Sequence, residues 1–298
     1  MIYLEFLDGQ GLGNQLWNYV TLRSLSKKLG FGYQIINPEK FKGKSFLEIS
    51  YSQNIVDNDF KTFKKNNEIK NIFDEKLFYD YELKTFASDF DKDIFKIKPN
   101  TIIRGLFQSE KYFFNNDINQ FVKLKLVKKD NFSLYKNQCF LNIRGGEYKR
   151  FKNLILPKTY WLNAINNMKK IKPNLKFAII TDDYDYASNL LTEIKIFKGD
   201  ISHDFFQLYY ANYLIVSNSS FSYFPAKLGI QPKKIIAPAN WSRFGNPKNK
   251  WISPSNYYEN WSYQNIKGEI INKEFIEESI NKTLIIYSSY NIITTKES

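Results

Sequence analysis

The chain has 298 residues, of which 43% are hydrophobic and 24% charged, a composition typical of a folded globular protein and not of a disordered or fibrous one. A chain of this length buries about 75% of the surface that its unfolded form exposes, so it needs no disulfide or metal to hold its core. The single cysteine, Cys139, excludes an intramolecular disulfide framework, and the single histidine, His203, argues against a structural zinc site.

The 43 basic and 30 acidic side chains give a formal net charge of +13, which is compatible with an anionic partner. The basic residues are dispersed and form no recognised nucleic-acid motif, so we expect no nucleic-acid partner. The first ten residues lack the features of a signal peptide, and no stretch approaches the roughly 18 apolar residues of a membrane span. We therefore expect a cytoplasmic protein. Peripheral attachment to the inner face of the membrane, through lysine and aromatic side chains, is left open.

Short β-rich segments alternate with helical segments, which predicts an α/β fold with parallel sheets and crossover helices. In the first part of the chain, a strand at Ile2 to Leu7 leads through a glycine-rich turn into a helix from about Leu16 to Leu29. Gly30 follows this helix and suits its C-cap. Further strands are predicted at Tyr33 to Ile36 and Thr101 to Phe107.

A second alternating series begins near residue 137 and predicts a doubly wound sheet, whose ligand binds at the carboxyl ends of its strands. Its predicted strands are Cys139 to Arg144, Lys176 to Thr181, Ile194 to Phe197, Tyr213 to Ser217 and Lys234 to Ala237. The polar segment Lys128 to Gln138 is interpreted as a linker, so the predicted domains are residues 1–135 and 136–298. The second domain ends in an irregular segment from Asn240 to Asn265 and a helix from Lys273 to Tyr287.

The turn GQGLGNQ, from Gly9 to Gln15, allows a ligand to approach the backbone closely at a helix N-terminus. The amide side chains of Asn14 and Gln15 are expected to point into the same cleft. The spacing differs from G-x-G-x-x-G, because Asn14 stands where the third glycine belongs. A tight turn with Asn14 as the N-cap explains these residues equally well.

Arg144 stands at the end of a predicted buried strand and is followed by Gly145, Gly146 and Glu147. Its planar guanidinium suits a phosphate oxygen, whereas the alternative is a surface ion pair with Glu147. We favour phosphate binding, because ligands of this architecture bind at strand termini.

The segment from Ser217 to Ser220 also follows a predicted strand and precedes a helix. Hydroxyl groups and helix N-terminal N–H groups together form a phosphate cradle, whereas ordinary capping needs only one serine. Two acidic segments, Asp89 to Asp91 and Asp182 to Asp185, contain the Asp-x-Asp triplet that holds Mg²⁺ or Mn²⁺ in some transferases. Because such residues also suit loops and helix N-termini, we expect no metal. His203, beside Asp204, is interpreted as a structural neighbour and not as a catalytic base.

Taken in order, six segments resemble one family, the bacterial α-1,2-fucosyltransferases of glycosyltransferase family 11. The segments are GLGNQLWNY (Gly11 to Tyr19), GLFQSEKYF (Gly105 to Phe113), NIRGGEY (Asn142 to Tyr148), LPKTYW (Leu156 to Trp161), NSSFSYF (Asn218 to Phe224) and IAPANW (Ile236 to Trp241).

This resemblance implies a GT-B type fold of two facing Rossmann-like domains, the first on the acceptor side and the second binding the nucleotide sugar. It implies an inverting α-1,2-fucosyltransferase that moves fucose from GDP-fucose to a hydroxyl of a galactoside-like sugar in a surface glycan. The partners are then a nucleotide sugar and a glycan acceptor, with no metal or other cofactor.

The resemblance also implies roles for individual residues. Arg144 would hold the β-phosphate, Ser219 or Ser220 the pyrophosphate and Asp204 the guanine. Asn14 would lie at the sugar and acceptor, while Glu147 is our candidate for orienting or deprotonating the acceptor hydroxyl. Three further residues are assigned to donor binding: Gly11, Gly13 and Asn218.

The sequence departs from the family pattern at several positions. Asn142, Gly145 and Glu147 replace the histidine, second arginine and aspartate of the central motif, and Tyr223-Phe224 replaces a Trp-Trp pair. Because Gly145 replaces an arginine, the pyrophosphate is expected to face one cation fewer than the family pattern provides. The alternatives are therefore a transferase that uses another nucleotide sugar and an inactive homologue that binds GDP or carbohydrate.

Overall fold

The computed structural model describes residues 1–53, 69–80, 85–113, 117–125, 135, 137–151, 153–229, 233–241, 256–287 and 291–293. The chain forms two compact units, one of Met1–Leu126 with Tyr290–Ser298 and one of Val127–Ser289. Most of the predicted linker, Lys128 to Gln138, lies outside the described residues.

The first unit is an α/β structure. In chain order its elements are β1 (Ile2–Glu5), α1 (Leu12–Leu29), β2 (Tyr33–Ile36), β3 (Leu47–Glu48), β4 (Ser52–Gln53), β5 (Asn71–Asp74), β6 (Leu77–Asp80), β7 (Thr85–Ser88), β8 (Thr101–Arg104), α2 (Asp117–Phe121) and β9 (Lys123–Leu124). The main sheet has the strand order β4-β2-β1-β8-β5, in which β4 is antiparallel and the other strands are parallel.

The turn between β1 and α1 differs from its prediction. The helix begins at Leu12, four residues before the predicted Leu16, and Gly11 occupies its N-cap position. The interpretation of Asn14 as the N-cap is therefore wrong, because Asn14 already lies in the first turn of the helix. At the other end Gly30 has a φ of 65°, the left-handed conformation that glycine adopts without steric cost, so the predicted C-cap is confirmed.

The second unit contains a longer sheet. Its elements are β10 (Gln138–Ile143), α3 (Lys158–Ile171), β11 (Lys176–Thr181), α4 (Tyr184–Leu190), β12 (Lys195–Phe197), α5 (Ile201–Tyr210), β13 (Tyr213–Val216), α6 (Tyr223–Leu228), β14 (Lys234–Pro238), β15 (Ser262–Gln264), β16 (Ile270–Ile271) and α7 (Lys273–Tyr287). The strand order is β12-β11-β10-β13-β14-β15-β16, and only the β15–β16 pair is antiparallel.

Both faces of this sheet are covered by apolar side chains, which explains why its strands read as nearly continuous hydrophobic runs. In β10, Cys139 and Leu141 belong to one buried cluster together with Trp161 of α3. The residue between them, Phe140, belongs to a second cluster that includes Leu208 of α5. This alternation follows from the two-residue period of a strand.

Two predictions for the carboxyl-terminal part need correction. Residues Ser262–Gln264, within the segment predicted to be irregular, form β15 and pair in parallel with β14, while 242–255 lie outside the described residues. The last strand, β17 (Asn291–Ile293), was assigned with 136–298 to the second domain. It instead pairs antiparallel with β6 of the first unit, because β7 covers only one edge of β6 and the other edge accepts a further strand.

The predicted α/β class, with two Rossmann-like units, is confirmed: the main sheet of each unit is predominantly parallel, and its first strand lies inside the sheet with later strands on both sides. Across the described residues, no helix combines the length and apolar character that crossing a membrane requires.

Tyr160 allows a test of how α3 is held on the second sheet. Its side chain is fully buried, and its hydroxyl donates a hydrogen bond of 2.7 Å to the carbonyl oxygen of Val216, the last residue of β13. We expect Tyr160→Phe to lower the free energy of unfolding by about 1–2 kcal/mol, because a buried acceptor loses its donor. Urea denaturation followed by circular dichroism measures this change.

The matched control is Tyr184→Phe, which removes the same atom from a side chain that is 45% exposed. We expect this control to change the free energy of unfolding by less than about 0.5 kcal/mol. Equal effects of the two substitutions would contradict the contribution assigned to the Tyr160 hydroxyl.

Candidate functional site

The strand order of the second unit identifies where a ligand is expected. From β10 the sheet continues through β11 and β12 on one side and through β13 and β14 on the other. Open α/β sheets bind ligands outside the carboxyl ends of the strands at such a reversal. Arg144 directly follows β10, and the segment Ser217–Ser220 directly follows β13.

Hydrogen bonds join these two segments. The amide N–H of Ser217 donates to the carbonyl oxygen of Asn142 at 3.1 Å. The Tyr148 hydroxyl donates to the carbonyl oxygen of Asn218 at 3.2 Å. The arginine and serine motifs, more than seventy positions apart in the chain, therefore lie next to each other at one edge of one sheet.

Two carboxylates hold the Arg144 guanidinium. Its Nη1 lies 2.7 Å from Oδ2 of Asp182, and its Nη2 lies 2.8 Å from Oε1 of Glu147. The predicted alternative, an ion pair with Glu147, is thus present, but a second carboxylate shares the guanidinium. The Arg144 side chain is still 31% exposed. Because a guanidinium has five N–H donors, two ion pairs leave others for a ligand.

Asp182 also fixes the backbone beside Arg144. Its Oδ1 accepts a hydrogen bond of 2.9 Å from the amide N–H of Gly145. A Cβ at Gly145 would lie 2.7 Å from Cβ of Asp183, and one at Gly146, whose φ is 33°, would collide with Asp182. The two glycines are therefore required for the close approach of the loops that follow β10 and β11.

The acidic triplets act as caps in the structure. Asp183 accepts from the amide N–H of Tyr186 at 3.1 Å, at the start of α4, and forms an ion pair with Lys149. The Lys149 hydrogen bond lowers the pKa of Asp183. Asp91 accepts from the amide N–H of Asp93 at 3.1 Å. Among the described residues, no group of three or more His, Cys, Asp or Glu side chains could hold a metal ion.

In the serine segment the side chains have different environments. Ser219 accepts from the amide N–H of Phe221 at 3.4 Å and caps the 3₁₀-helix Ser220–Ser222, as the capping alternative predicted. Ser217 belongs to the predicted phosphate-binding segment but was given no individual role. Its Oγ is buried at the strand end, and the described residues offer it no hydrogen-bond partner.

Asn218 has a role that its sequence position did not indicate. Its buried side-chain amide donates to the carbonyl oxygens of Leu154, at 3.0 Å, and Trp241. Both N–H groups are therefore used to hold neighbouring loops. These contacts concern only the side-chain N–H groups, and the assignment of Asn218 to donor binding stays a prediction.

Asp204 lies on α5, near the same strand ends. Burial raises the pKa of its carboxyl to about 6, His203 opposes this shift, and the negative charge of Asp182 adds to it. The electrostatic effect of Asp182 means that Asp204 lies in the neighbourhood of the carboxylate that binds Arg144. The ring Nδ1 of His203 lies 3.3 Å from Oδ1 of Asp204, and its Nε2 lies 3.2 Å from Nε2 of Gln207.

The first unit has a cavity at its own strand reversal, between β1 and β8. Its volume is about 500 Å³, and it is bordered by the carboxyl ends of both strands and by the start of α1. Apolar lining comes from leucine and isoleucine side chains. The polar lining residues are Glu5, Asp8, Gln10, Asn14, Asn18 and Arg104.

The amide residues of the glycine turn diverge. Asn14 lines the cavity, and its Oδ1 accepts a hydrogen bond of 2.8 Å from Nε2 of Gln108. Gln15 was expected in the same cleft, but it is fully buried and bonds to the backbone of Lys40 and Lys42. That expectation is wrong, because residues adjacent in a helix point in different directions. Asn18, one turn after Asn14, reaches the cavity instead.

The predicted site residues thus fall into two sets. Gly11, Gly13 and Asn14 belong to the first unit, where Gly11 is exposed and Gly13 buried in the first turn of α1. The second unit holds the other set: Arg144, Glu147, Asp204, Asn218, Ser219 and Ser220. The donor-binding role of Gly11 and Gly13 stays a prediction.

Sequence reasoning missed other residues at the strand ends. Arg104 ends β8 and borders the cavity, and Asp182 follows β11 and binds Arg144. The rule that ligands bind at carboxyl strand ends, applied to every predicted strand, would have found Asp182. Arg104 was hidden because the predicted strand continued to Phe107, whereas β8 ends at Arg104. Asn18 could have been found from its spacing of four residues from Asn14, which places the two on one helix face.

Three solved structures show a likeness to the chain. The fucosyltransferase NodZ from Bradyrhizobium is 14% identical, with a TM-score of 0.44, over 76% of this chain and 92% of that one. The E. coli heptosyltransferase WaaC with ADP is 9% identical, with a TM-score of 0.45, over 95% and 100%. A mutant of Arabidopsis thaliana FUT1 in complex with GDP is 11% identical, with a TM-score of 0.44, over 91% and 79%.

None of the curated proteins matches the chain. The profile of glycosyl transferase family 11, in contrast, matches residues 8–265. This range includes the glycine turn, the arginine and serine motifs and nearly all strands of both main sheets. Because the match extends over most of the sequence, the chain belongs to glycosyl transferase family 11.

Proposed function

We propose that the protein is an inverting α-1,2-fucosyltransferase that moves fucose from GDP-fucose to a hydroxyl of a galactoside-like sugar in a surface glycan. Membership of glycosyl transferase family 11 supports glycosyl transfer. The observation that carries the donor assignment is the position of Arg144, beside the serine segment at the strand reversal of the second sheet. A diphosphate bound there meets a guanidinium and a cluster of backbone and hydroxyl donors.

The diphosphate competes with Glu147 for the Arg144 guanidinium. Glu147 is 66% exposed, and an exposed ion pair of this kind contributes about 0–1 kcal/mol. Hydrogen bonds to a charged group contribute about 1.5–3 kcal/mol. We infer that the diphosphate replaces Glu147 at Nη2, while Asp182, which is also held by the Gly145 amide, keeps Nη1 in place.

Asp204 supplies recognition of the base. The guanine edge carries two adjacent N–H donors, from N1 and N2, which match the two oxygens of a carboxylate. Adenine lacks this pair of donors, so the same carboxylate selects against it. Recognition requires the ionised form of Asp204, because a protonated carboxyl presents a donor to one of the two guanine donors.

In the transfer step, the oxygen of an acceptor hydroxyl attacks C1 of fucose from the face opposite the diphosphate. The bond between C1 and the diphosphate oxygen breaks, and its electron pair leaves with GDP. Arg144 stabilises the negative charge that develops on this oxygen. Glu147, released from Arg144, accepts the hydroxyl proton. We expect the transfer to need no divalent metal, because hydrogen-bond donors of the protein stabilise the negative charge of the leaving diphosphate.

We assign the acceptor sugar to the cavity of the first unit. A volume of about 500 Å³ lies within the usual range of small-molecule sites. Asn14, Asn18 and Glu5 offer hydrogen-bonding groups for hydroxyls, and the leucine side chains offer apolar contact for the face of a sugar ring. Peripheral attachment of the protein to the inner face of a membrane stays a prediction.

Another candidate is supported by the ion pairs themselves. Glu147 and Asp182 together offset the charge of Arg144, and Gly145 replaces the second arginine of the family motif. A protein with this site could bind GDP, or another nucleotide sugar, without transferring fucose. Binding of GDP without turnover of GDP-fucose on any of a set of galactosides would favour this candidate.

The first prediction concerns Arg144→Ala. We expect release of GDP from GDP-fucose, with lactose as the acceptor, to fall by about 100- to 1,000-fold, because the leaving diphosphate loses its guanidinium. A coupled assay for free GDP measures the rate. The matched control is Arg150→Ala, which removes the same charged group from an exposed position at the end of the 3₁₀-helix Gly146–Arg150 that follows Arg144.

The control should leave the rate within about twofold of the wild type, because the Arg150 side chain is exposed to solvent. Wild-type turnover by Arg144→Ala would refute the role of Arg144 at the leaving group. Equal losses in both variants would instead indicate a non-specific effect of net charge.

The second prediction concerns the pH dependence of base recognition. The pKa of Asp204 is raised to about 6 by burial, so the carboxylate form is lost as the pH falls through that value. We expect the dissociation constant of GDP, relative to that of ADP, to be constant between pH 7 and 8 and to rise about tenfold by pH 5. Calorimetric titrations measure both constants, and ADP corrects for ionisation of the shared diphosphate.

Asp204→Asn is the control for this pH dependence. It should bind GDP more weakly than the wild type at pH 7.5, because an amide accepts only one of the two guanine hydrogen bonds. Its ratio of GDP to ADP affinity should not change with pH. A wild-type ratio that is also independent of pH would rule out guanine recognition by Asp204.

A further inference from the structure

Glu75 is a fully buried carboxylate in the first unit, directly after β5. Its Oε2 accepts hydrogen bonds from the backbone N–H groups of Leu106, at 2.7 Å, and Phe107, at 2.9 Å. Its Oε1 accepts from the Tyr112 hydroxyl at 2.7 Å. Three donors from one short stretch of chain thus converge on a single side chain.

The segment held by Glu75 forms one wall of the first-unit cavity. Gly105 and Leu106 border the cavity directly. A Cβ at Gly105 would lie 2.6 Å from Cβ of Glu75, so only glycine lets the segment pass this close. Phe107 has a φ of 49°, a left-handed conformation that is costly for an aromatic residue and persists only when its surroundings enforce it. The hydrogen bond from its N–H to Glu75 provides that enforcement.

The same segment reaches the amide that lines the cavity. Gln108 follows Phe107, is buried, and donates through Nε2 to Oδ1 of Asn14 at 2.8 Å. This contact fixes the oxygen of the Asn14 amide. A chain of direct contacts therefore leads from the Glu75 carboxylate, through the three residues Leu106, Phe107 and Gln108, to a polar group that faces the cavity.

Burying the Glu75 carboxylate costs desolvation free energy, so stability by itself does not explain a carboxylate at this position. Burial raises the pKa of Glu75 to about 7, the three donors oppose that rise, and the Asp91 charge adds to it. Across the described residues, no ion pair includes Glu75, since Lys76 pairs with Asp91 and Asp93 instead. An apolar side chain of similar volume would avoid the desolvation cost, but it could not accept the N–H groups of Leu106 and Phe107.

We propose that Glu75 is a positioning residue for the acceptor sugar: it fixes the Gly105–Gln108 wall of the cavity and, through Gln108, the orientation of the Asn14 amide. The proposal rests on the proposed function, in which this cavity binds the acceptor. Glu75 does not touch the sugar and takes no part in the bond changes. Its effect is confined to the affinity and orientation of the acceptor.

Three variants separate positioning from stability. Glu75→Ala removes all three acceptors. Glu75→Gln retains an oxygen for the two backbone N–H groups and presents its amide N–H to the Tyr112 oxygen. Tyr112→Phe is the matched control, because it removes one hydrogen bond from the carboxylate and leaves the two bonds to the cavity wall.

Kinetics are measured with lactose and GDP-fucose varied separately. We expect Glu75→Ala to lower kcat/KM for lactose by about 10- to 100-fold, as displacement of a substrate-orienting group does, with the KM for GDP-fucose unchanged. Glu75→Gln should restore most of this loss. Tyr112→Phe should lower the melting temperature while its KM for lactose stays at the wild-type value.

Equal effects of Glu75→Ala on both substrates, or a lactose KM that rises equally in Tyr112→Phe, would overturn the proposal, because both results indicate general destabilisation. If Glu75→Ala does not fold, Glu75→Asp withdraws the carboxylate by one methylene and should shift the lactose KM in the same direction. An unchanged lactose KM in the folded variant would also overturn the proposal.

Amide hydrogen exchange of the peptide that contains Leu106 and Phe107 tests the positioning role without turnover. We expect faster exchange in Glu75→Ala and near wild-type protection in Glu75→Gln. If the wild type transfers fucose to no galactoside, the proposed function fails, and this measurement still decides the role of Glu75. Unchanged protection of both amides in Glu75→Ala would then overturn it.

Discussion

Parallel pairing of β10 with both β11 and β13 is the constraint on which the candidate donor site depends. Backbone hydrogen bonds align these three strands, so their last residues meet at one edge of the sheet. The chain reaches β13 only after passing through β11 and β12, which places the reversal of strand order next to β10. Arg144 and the serine segment become neighbours for this reason, although they lie more than seventy positions apart in the chain.

The loops at that edge fix the orientation of the Arg144 side chain. Asp182 binds the Arg144 guanidinium and the Gly145 amide with its two oxygens, so that one carboxylate sets both the side chain and the turn that follows it. The absence of a side chain at Gly146 permits this approach. A larger residue at either glycine would separate the loops, and Arg144 would lose its fixed orientation before any ligand arrived.

Local sequence patterns predict most helices and strands, but they do not predict which groups the side chains bond to. The bounds of β2, β11 and α7 follow from apolar runs and flanking polar residues, and the structure agrees with them. β15 was missed because three residues of strand carry too little pattern and depend on the edge of β14. Gln15, Asn218 and Glu75 bond to backbone groups 23 or more positions away, and no local pattern indicates such partners.

Both units have a reversal of strand order in a parallel sheet, but the side chains at the two reversals differ in chemistry. In the second unit, the strand reversal carries a guanidinium balanced by exposed and half-buried carboxylates, an arrangement in which an incoming anion can exchange with an internal one. In the first unit, amides and leucines border the cavity together with the charged side chains of Glu5, Asp8 and Arg104, and the buried Glu75 carboxylate faces backbone N–H groups instead of the cavity. The strand reversal of the second unit suits an anionic ligand, because the ligand can replace a carboxylate at the guanidinium. The cavity of the first unit suits a neutral polyol, because fixed hydrogen-bonding groups lie there beside apolar surface.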